Sequence, residues 1–250
     1  MENYNGYLIC SDLDETLTHR GRLIEKNTAS IKKYTENGGL FTLSTGRTPA
    51  YLFETYGREN LCINTYLICL NGTVICDPDS KDIIWERSYP KEALAELEPI
   101  SADFGGVLNM NYYCFESSYA HYSEIPNGSN INKTVIAFDT PENCHRLRQR
   151  LETEYRGIFS FNKSWDTGLE ILPSDAGKGA CIREMKSLLG DKAKTVIAVG
   201  DNENDLTMIR EADIGYAVGN AIPELKSAAD RITVSCPDGA ISHIIEDISV

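Results

Sequence analysis

A doubly wound α/β core interrupted by an inserted α+β block is the fold class that the sequence predicts, and two observations predict it. Short, uniformly apolar runs alternate with helical patterns near both ends of the 250-residue chain. Runs of that kind suit a parallel sheet covered by helices on both faces. The middle of the chain reads differently: its strand candidates alternate apolar and polar residues, as a half-exposed sheet requires.

Taken in order, residues 7–11 (YLICS) read as a buried strand and residues 25–37 as a helix stopped by Gly38-Gly39. Residues 40–44 (LFTLS) and 66–70 (YLICL) read as the second and third strands. After the middle block, 195–199 (TVIAV) is a strand of the same kind with a helix following from Asn202, and 214–218 and 231–235 are further strand candidates. Within the middle block, 82–88, 132–139, 158–163 and 168–172 read as strands, and about 90–103 and 141–155 as helices. The segment 111–131, rich in Tyr, Ser and Asn, reads as a hairpin with Asn127-Gly128 as its turn. Its tyrosines, which combine contact area with a hydroxyl, also suit a substrate pocket. The expected domains are therefore a core of residues 1–81 and 173–250 and an insert of residues 82–172.

The bulk numbers bound the function. With 42% hydrophobic residues the chain has material for a full core without a metal or disulfide staple. A formal net charge of -13 disfavours nucleic acid and anionic membrane as partners. It also means that a site for phosphate must supply its own local positive charge, which a bound metal ion does best. The eight cysteines include no C-x-x-C pair, and the seven-residue recurrence of Cys62, Cys69 and Cys76 has no histidine at zinc-ligand spacing. Reduced core cysteines and a cytoplasmic location are the expectation. The N-terminal stretch lacks signal-peptide features, and no apolar run reaches membrane-spanning length.

Four short motifs stand at element ends. Asp12-Leu13-Asp14-Glu15-Thr16 follows the first strand, where residues two apart project to one side and both carboxylates can face one point. Two close carboxylates repel unless one is protonated or a cation lies between them. A solvated loop start is the alternative there. Ser44-Thr45-Gly46-Arg47 ends the second strand and offers a hydroxyl and an unobstructed N–H to a phosphate oxygen. Alternatively Thr45 or Thr48 caps the next helix. Lys178, in Asp175-Ala176-Gly177-Lys178-Gly179, begins a helical pattern. Gly200-Asp201-Asn202-Glu203-Asn204-Asp205 follows the strand TVIAV, and Asp201 and Asp205 share a face if the chain is helical from Asn202. Acidic capping of a helix explains one of these carboxylates better than two.

In this order and placement the motifs resemble those of the haloacid dehalogenase superfamily of phosphotransferases. The phrases STGR and LEILPSDAGKG, with Leu70-Asn71-Gly72, look like its Cof-type branch, in which an α+β cap is inserted between the second and third motifs. Glu15 departs from the pattern, which most often has glycine there, and little consequence is expected. The resemblance implies a Rossmann-like core and a phosphatase acting on small phosphorylated metabolites with Mg2+. It implies Asp12 as nucleophile and Asp14 as acid and then base. Thr45, Gly46, Lys178 and Asn204 would hold the phosphate, and Arg47 would contact substrate. The metal would be held by Asp12, Asp201 and the Asp14 carbonyl, with Asp205 ligating or orienting. A phosphomutase shares the same motifs, and a non-catalytic phospho-ligand binding protein is the rival of another class. A receiver-like phosphoacceptor is disfavoured by the insert.

Overall fold

The computed structural model describes residues 3–95 and 97–249. The first two residues of the N-terminal stretch, and Glu96 within the helix expected at 90–103, lie outside this description, as does residue 250. The described residues divide into two compact units, one of Met1–Trp85 with Lys178–Val250 and one of Glu86–Gly177. The contacts thus divide the chain at 86 and 177, where the sequence reading divides it at 82 and 172.

The first unit begins with β1 (Tyr7–Ser11), α1 (Glu25–Glu36), β2 (Leu40–Leu43) and α2 (Pro49–Tyr56). Thr48 caps α2, its side chain accepting from the Tyr51 N–H, and Pro49 occupies the first turn where no N–H is needed. Capping therefore falls to Thr48 and not to Thr45. β3 (Leu67–Cys69), β4 (Val74–Cys76) and β5 (Ile83–Glu86) follow and form a separate three-stranded sheet, β3 and β4 antiparallel. The third apolar run thus departs from the expected parallel sheet: it pairs with β4, and meets the end of the main sheet at the parallel Ser44–Ile68 bridge. Its apolarity reflects burial, which a buried hairpin satisfies as well as a central strand does.

The second unit is α+β. α3 (Leu97–Asp103), β6 (Val107–Tyr113), β7 (Ser118–Tyr119), β8 (Lys133–Phe138), α4 (Pro141–Glu154), β9 (Phe159–Trp165) and β10 (Gly168–Pro173) run in chain order. The sheet order is β7-β6-β8-β10-β9, and its neighbours are antiparallel. Alternation selects one face: Tyr112, Ile136, Phe138, Leu169, Ile171, Phe159 and Phe161 pack with Leu97, Leu147 and Leu151 of the helices. The hairpin of the Tyr-rich segment closes at residues 114–117, between β6 and β7, and not at Asn127-Gly128. Those two residues make a local turn instead, the Ser129 N–H donating to the Pro126 carbonyl with Gly128 left-handed at φ 78°. The Arg87–Asp175 pair, at 2.7 Å, ties together the segments by which the chain enters and leaves this unit.

The first unit resumes with α5 (Lys178–Leu189), β11 (Thr195–Gly200), α6 (Leu206–Glu211), β12 (Ile214–Ala217), α7 (Pro223–Ala228), β13 (Arg231–Ile232) and α8 (Ala240–Asp247). A short 3₁₀ turn, Glu203–Asp205, precedes α6, so the regular helix starts later than Asn202. The main sheet is parallel throughout, in the order β13-β12-β11-β1-β2. The chain leaves β1 toward β2 and later builds outward from β11 on the other side. β1 and β11 therefore flank the point where strand order reverses, the place at which open α/β sheets bind ligands.

Candidate active site

Strand register brings the first and fourth motifs together. Ser11 is paired with Val199 across β1 and β11, and the Asp12 N–H donates to the Val199 carbonyl at 2.9 Å. Asp12 and Asp201 thus leave adjacent strand ends in the same direction. On the other side of β1, the Ser44 N–H donates to the Ser11 carbonyl, which brings the second motif alongside.

The centre of the site is Lys178, the first residue of α5. Its side chain is fully buried, and Nζ donates to Oδ1 of Asp12 and to Oδ1 of Asp205, each at 2.6 Å. Asp205 is itself fully buried and accepts with Oδ2 from the N–H groups of Asp201 (2.9 Å) and Asn202 (3.2 Å). Both of its oxygens are engaged by donors. Gly200 makes room for this: a Cβ there would lie 2.4 Å from Asp205 Cγ. Asp201 accepts at Oδ1 from the Thr16 hydroxyl (3.0 Å). Thr16 lies within the first motif, and its separation of 185 residues from Asp201 hides the contact from the sequence.

One oxygen from each of Asp12, Asp201 and Asp205 lies within 4.8 Å of the others. Three carboxylates against one ammonium leave two negative charges in a buried place, and the titration behaviour follows. Burial raises the Asp12 carboxyl well above the usual carboxylate range; Lys178 pulls it down, and Asp205 and Asp201 push it up again. Burial, and then Asp205, push Asp201 up to about 7. Burial works against the Lys178 charge, but Asp12 and Asp205 outweigh it and raise its pKa. An oxygen-only donor set with two uncompensated charges fits a hard divalent cation.

The remaining residues form two further groupings. Arg47 Nε donates to Asp14 Oδ2 at 3.1 Å, and its guanidinium lies 4.7 Å over the Tyr51 ring. Both partners are about half exposed. Thr45 is buried and its hydroxyl accepts from the Arg47 N–H (3.2 Å). Asn204 donates to Oδ1 of Asn71 (3.2 Å), and the Asn71 N–H donates to the Thr45 carbonyl (2.9 Å). Asn71 thus stands between the second and fourth motifs; the sequence marked it only as part of an Asn-Gly element. Glu15 sits at φ 58°, in the left-handed region where glycine is at ease, which accounts for glycine being usual there. Its carboxylate accepts from the Arg20 N–H (2.9 Å) and meets His19 Nδ1 (2.8 Å). The departure carries a conformational cost, where the sequence predicts little consequence.

The sequence profile of the haloacid dehalogenase-like hydrolases matches residues 9–123 and 105–245. Phosphoglycolate phosphatase 2 of Saccharolobus solfataricus is 48% identical over 255 residues, spanning 98% of this chain and 93% of that protein. The 5-amino-6-(5-phospho-D-ribitylamino)uracil phosphatase YcsE of Bacillus subtilis is 28% identical over 242 residues, spanning 95% and 94%. The solved structure of a haloacid dehalogenase-like hydrolase from B. subtilis superposes with a TM-score of 0.84 at 19% identity, covering 96% of this chain and 99% of that one. With its parallel sheet, its carboxylate cluster at the strand reversal and these relatives, the chain belongs to the haloacid dehalogenase-like hydrolase family and is a phosphatase.

Proposed function

We propose that the protein is a Mg2+-dependent phosphatase of small phosphorylated metabolites that works through an aspartyl-phosphate on Asp12. The observation that carries this reading is the buried Lys178 ammonium bridging Asp12 and Asp205, with Asp201 alongside and two negative charges left over. Asp12, Asp201 and the Asp14 carbonyl would hold the metal. Asp205, whose oxygens are already engaged by Lys178, Asp201 and Asn202, would orient the others. When bound, a divalent cation supplies the positive charge that keeps Asp12 ionised and draws electron density from the phosphoryl oxygens.

In the first step an Asp12 carboxylate oxygen attacks phosphorus. The bond to the leaving oxygen breaks as Asp14 gives it a proton. In the second step Asp14 takes a proton from water, the water oxygen attacks phosphorus, and inorganic phosphate departs to regenerate Asp12. Lys178, with Thr45, Gly46 and Asn204, would stabilise charge on the phosphoryl oxygens. Arg47, whose Nε donates to Asp14, would contact an incoming substrate. The relatives named for phosphoglycolate and for a phosphoribitylaminouracil support a small phosphomonoester as substrate.

The test is Asp12→Asn assayed with p-nitrophenyl phosphate and Mg2+. The variant should keep its circular dichroism spectrum and lose activity by orders of magnitude; full activity would remove Asp12 as nucleophile. Release of free inorganic phosphate from metabolite substrates separates a phosphatase from a phosphomutase, which returns the phosphoryl group to the sugar.

A further inference from the structure

Three consecutive residues after β3 adopt left-handed backbone: Leu70 at φ 51°, Asn71 at φ 57° and Gly72 at φ 80°. For a leucine this is an outlier, and such strain persists only where surrounding contacts over-determine it. Several of the contacts here reach toward the second and fourth motifs. The Leu70 N–H donates to the Arg47 carbonyl (3.2 Å) and the Asn71 N–H to the Thr45 carbonyl (2.9 Å). The Thr73 hydroxyl donates back to the Leu70 carbonyl (3.0 Å) and closes the turn. The Asn71 side chain is buried, and its Oδ1 accepts from Asn204 Nδ2 at 3.2 Å. Its carboxamide also lies against Gly46, where a Cβ would come within 3.1 Å of Oδ1.

We propose that Asn71 is a positioning residue, whose carboxamide fixes Asn204 and the Thr45-Gly46 turn relative to one another so that both present donors to one phosphate. The inference rests on the phosphatase reading and adds a residue to it. The side-chain type follows from the geometry. Glycine would take the left-handed backbone without strain but offers Asn204 no acceptor, and leucine offers neither. Aspartate would accept from Asn204 but bring a negative charge beside the turn that receives phosphate. Asn204 belongs to the same 3₁₀ turn as Asp205, so the link also joins the phosphate end of the site to the partner of Lys178.

Asn71→Gly separates the side chain from the backbone, because it relieves strain while removing the carboxamide. The variant should unfold at or above the wild-type Tm. Its kcat/KM on p-nitrophenyl phosphate with Mg2+ should fall about tenfold, the order of one well-placed hydrogen bond. Binding of inorganic phosphate with Mg2+, measured by calorimetry, should weaken by a similar factor. Asn204→Ala should lose at least as much, since it also removes a phosphate donor, and the double variant should lose clearly less than the product of the two single losses, since the two residues share one link. Wild-type phosphate binding in Asn71→Gly, or losses that multiply in the double variant, would overturn the proposal. A loss tracking only a lowered Tm would also overturn it. Phosphate binding is read apart from turnover: a wild-type protein that releases no inorganic phosphate from any phosphomonoester would sink the phosphatase reading, while the calorimetry still decides Asn71.

Discussion

Replacing Lys178 by methionine removes one charge and leaves the shape nearly unchanged, which makes it the sharpest test of how the site is built. Lys178 Nζ holds two carboxylates at 2.6 Å, and the Asp12 and Asp205 side chains are only 10% and 0% exposed. Without the ammonium those carboxylates are stranded in a buried place with Asp201 nearby. Removing one partner of such a pair costs about 3–5 kcal/mol. For a chain of this size that corresponds to roughly 2–4 °C in Tm per kcal/mol, or a fall of about 6–20 °C. The sign with pH follows. The stranded carboxyls hold protons more tightly folded than unfolded, so the variant is least impaired in acid and loses further stability as pH rises from about 4 to neutrality. Calorimetry in chelator at pH 5 and pH 7.5, beside wild type, measures both effects. A Tm loss below about 2 °C at pH 7.5, or an equal loss at both pH values, would refute the electrostatic account of the cluster.

Asp201 carries a related expectation for the wild-type protein. Its carboxyl rises from 3.8 to about 7 on folding, so the stability it gives is present in acid and is lost as pH climbs through that window, by at most about 4 kcal/mol. In chelator the Tm should fall between pH 5 and pH 8, and saturating Mg2+ should flatten that slope; a Mg2+ stabilisation as large at pH 5 as at pH 8 would contradict it. At Glu15, alanine should be less stable than glycine by about 1 kcal/mol, because alanine keeps the left-handed strain and gives up the acceptor for the Arg20 N–H. Thermal unfolding of Glu15→Ala and Glu15→Gly decides it, and the reverse order would mean that φ 58° carries no strain.

Several elements could be read along the chain because each satisfies a local rule. YLICS and TVIAV are short and mostly apolar because β1 and β11 are buried in the main sheet, and α1 ends just before its glycines. The chemistry-bearing residues stood out for the same reason, each following directly on such a run or opening a helix. Other features carried no local mark. Burial looks alike in a central strand and in a hairpin, so β3 gave no sign of leaving the main sheet. The strand Val107–Tyr113 mixes apolar and amide side chains and was legible only in its last part, within the Tyr-rich segment.

What the sequence determined alone was the inventory: parallel core strands, an inserted α+β unit, and carboxylates, a lysine and hydroxyls at element ends. Those follow from periodicity and from residue type, which act over a few neighbours. What only the tertiary structure decided was who meets whom. Lys178 joins Asp12, 166 positions away, to Asp205, because the β1–β11 register puts two strand ends side by side. Thr16 reaches Asp201, Arg47 reaches Asp14, and Asn71 stands between the second and fourth motifs for the same reason. Pairings across so many residues depend on strand register and burial, which no local stretch of sequence encodes.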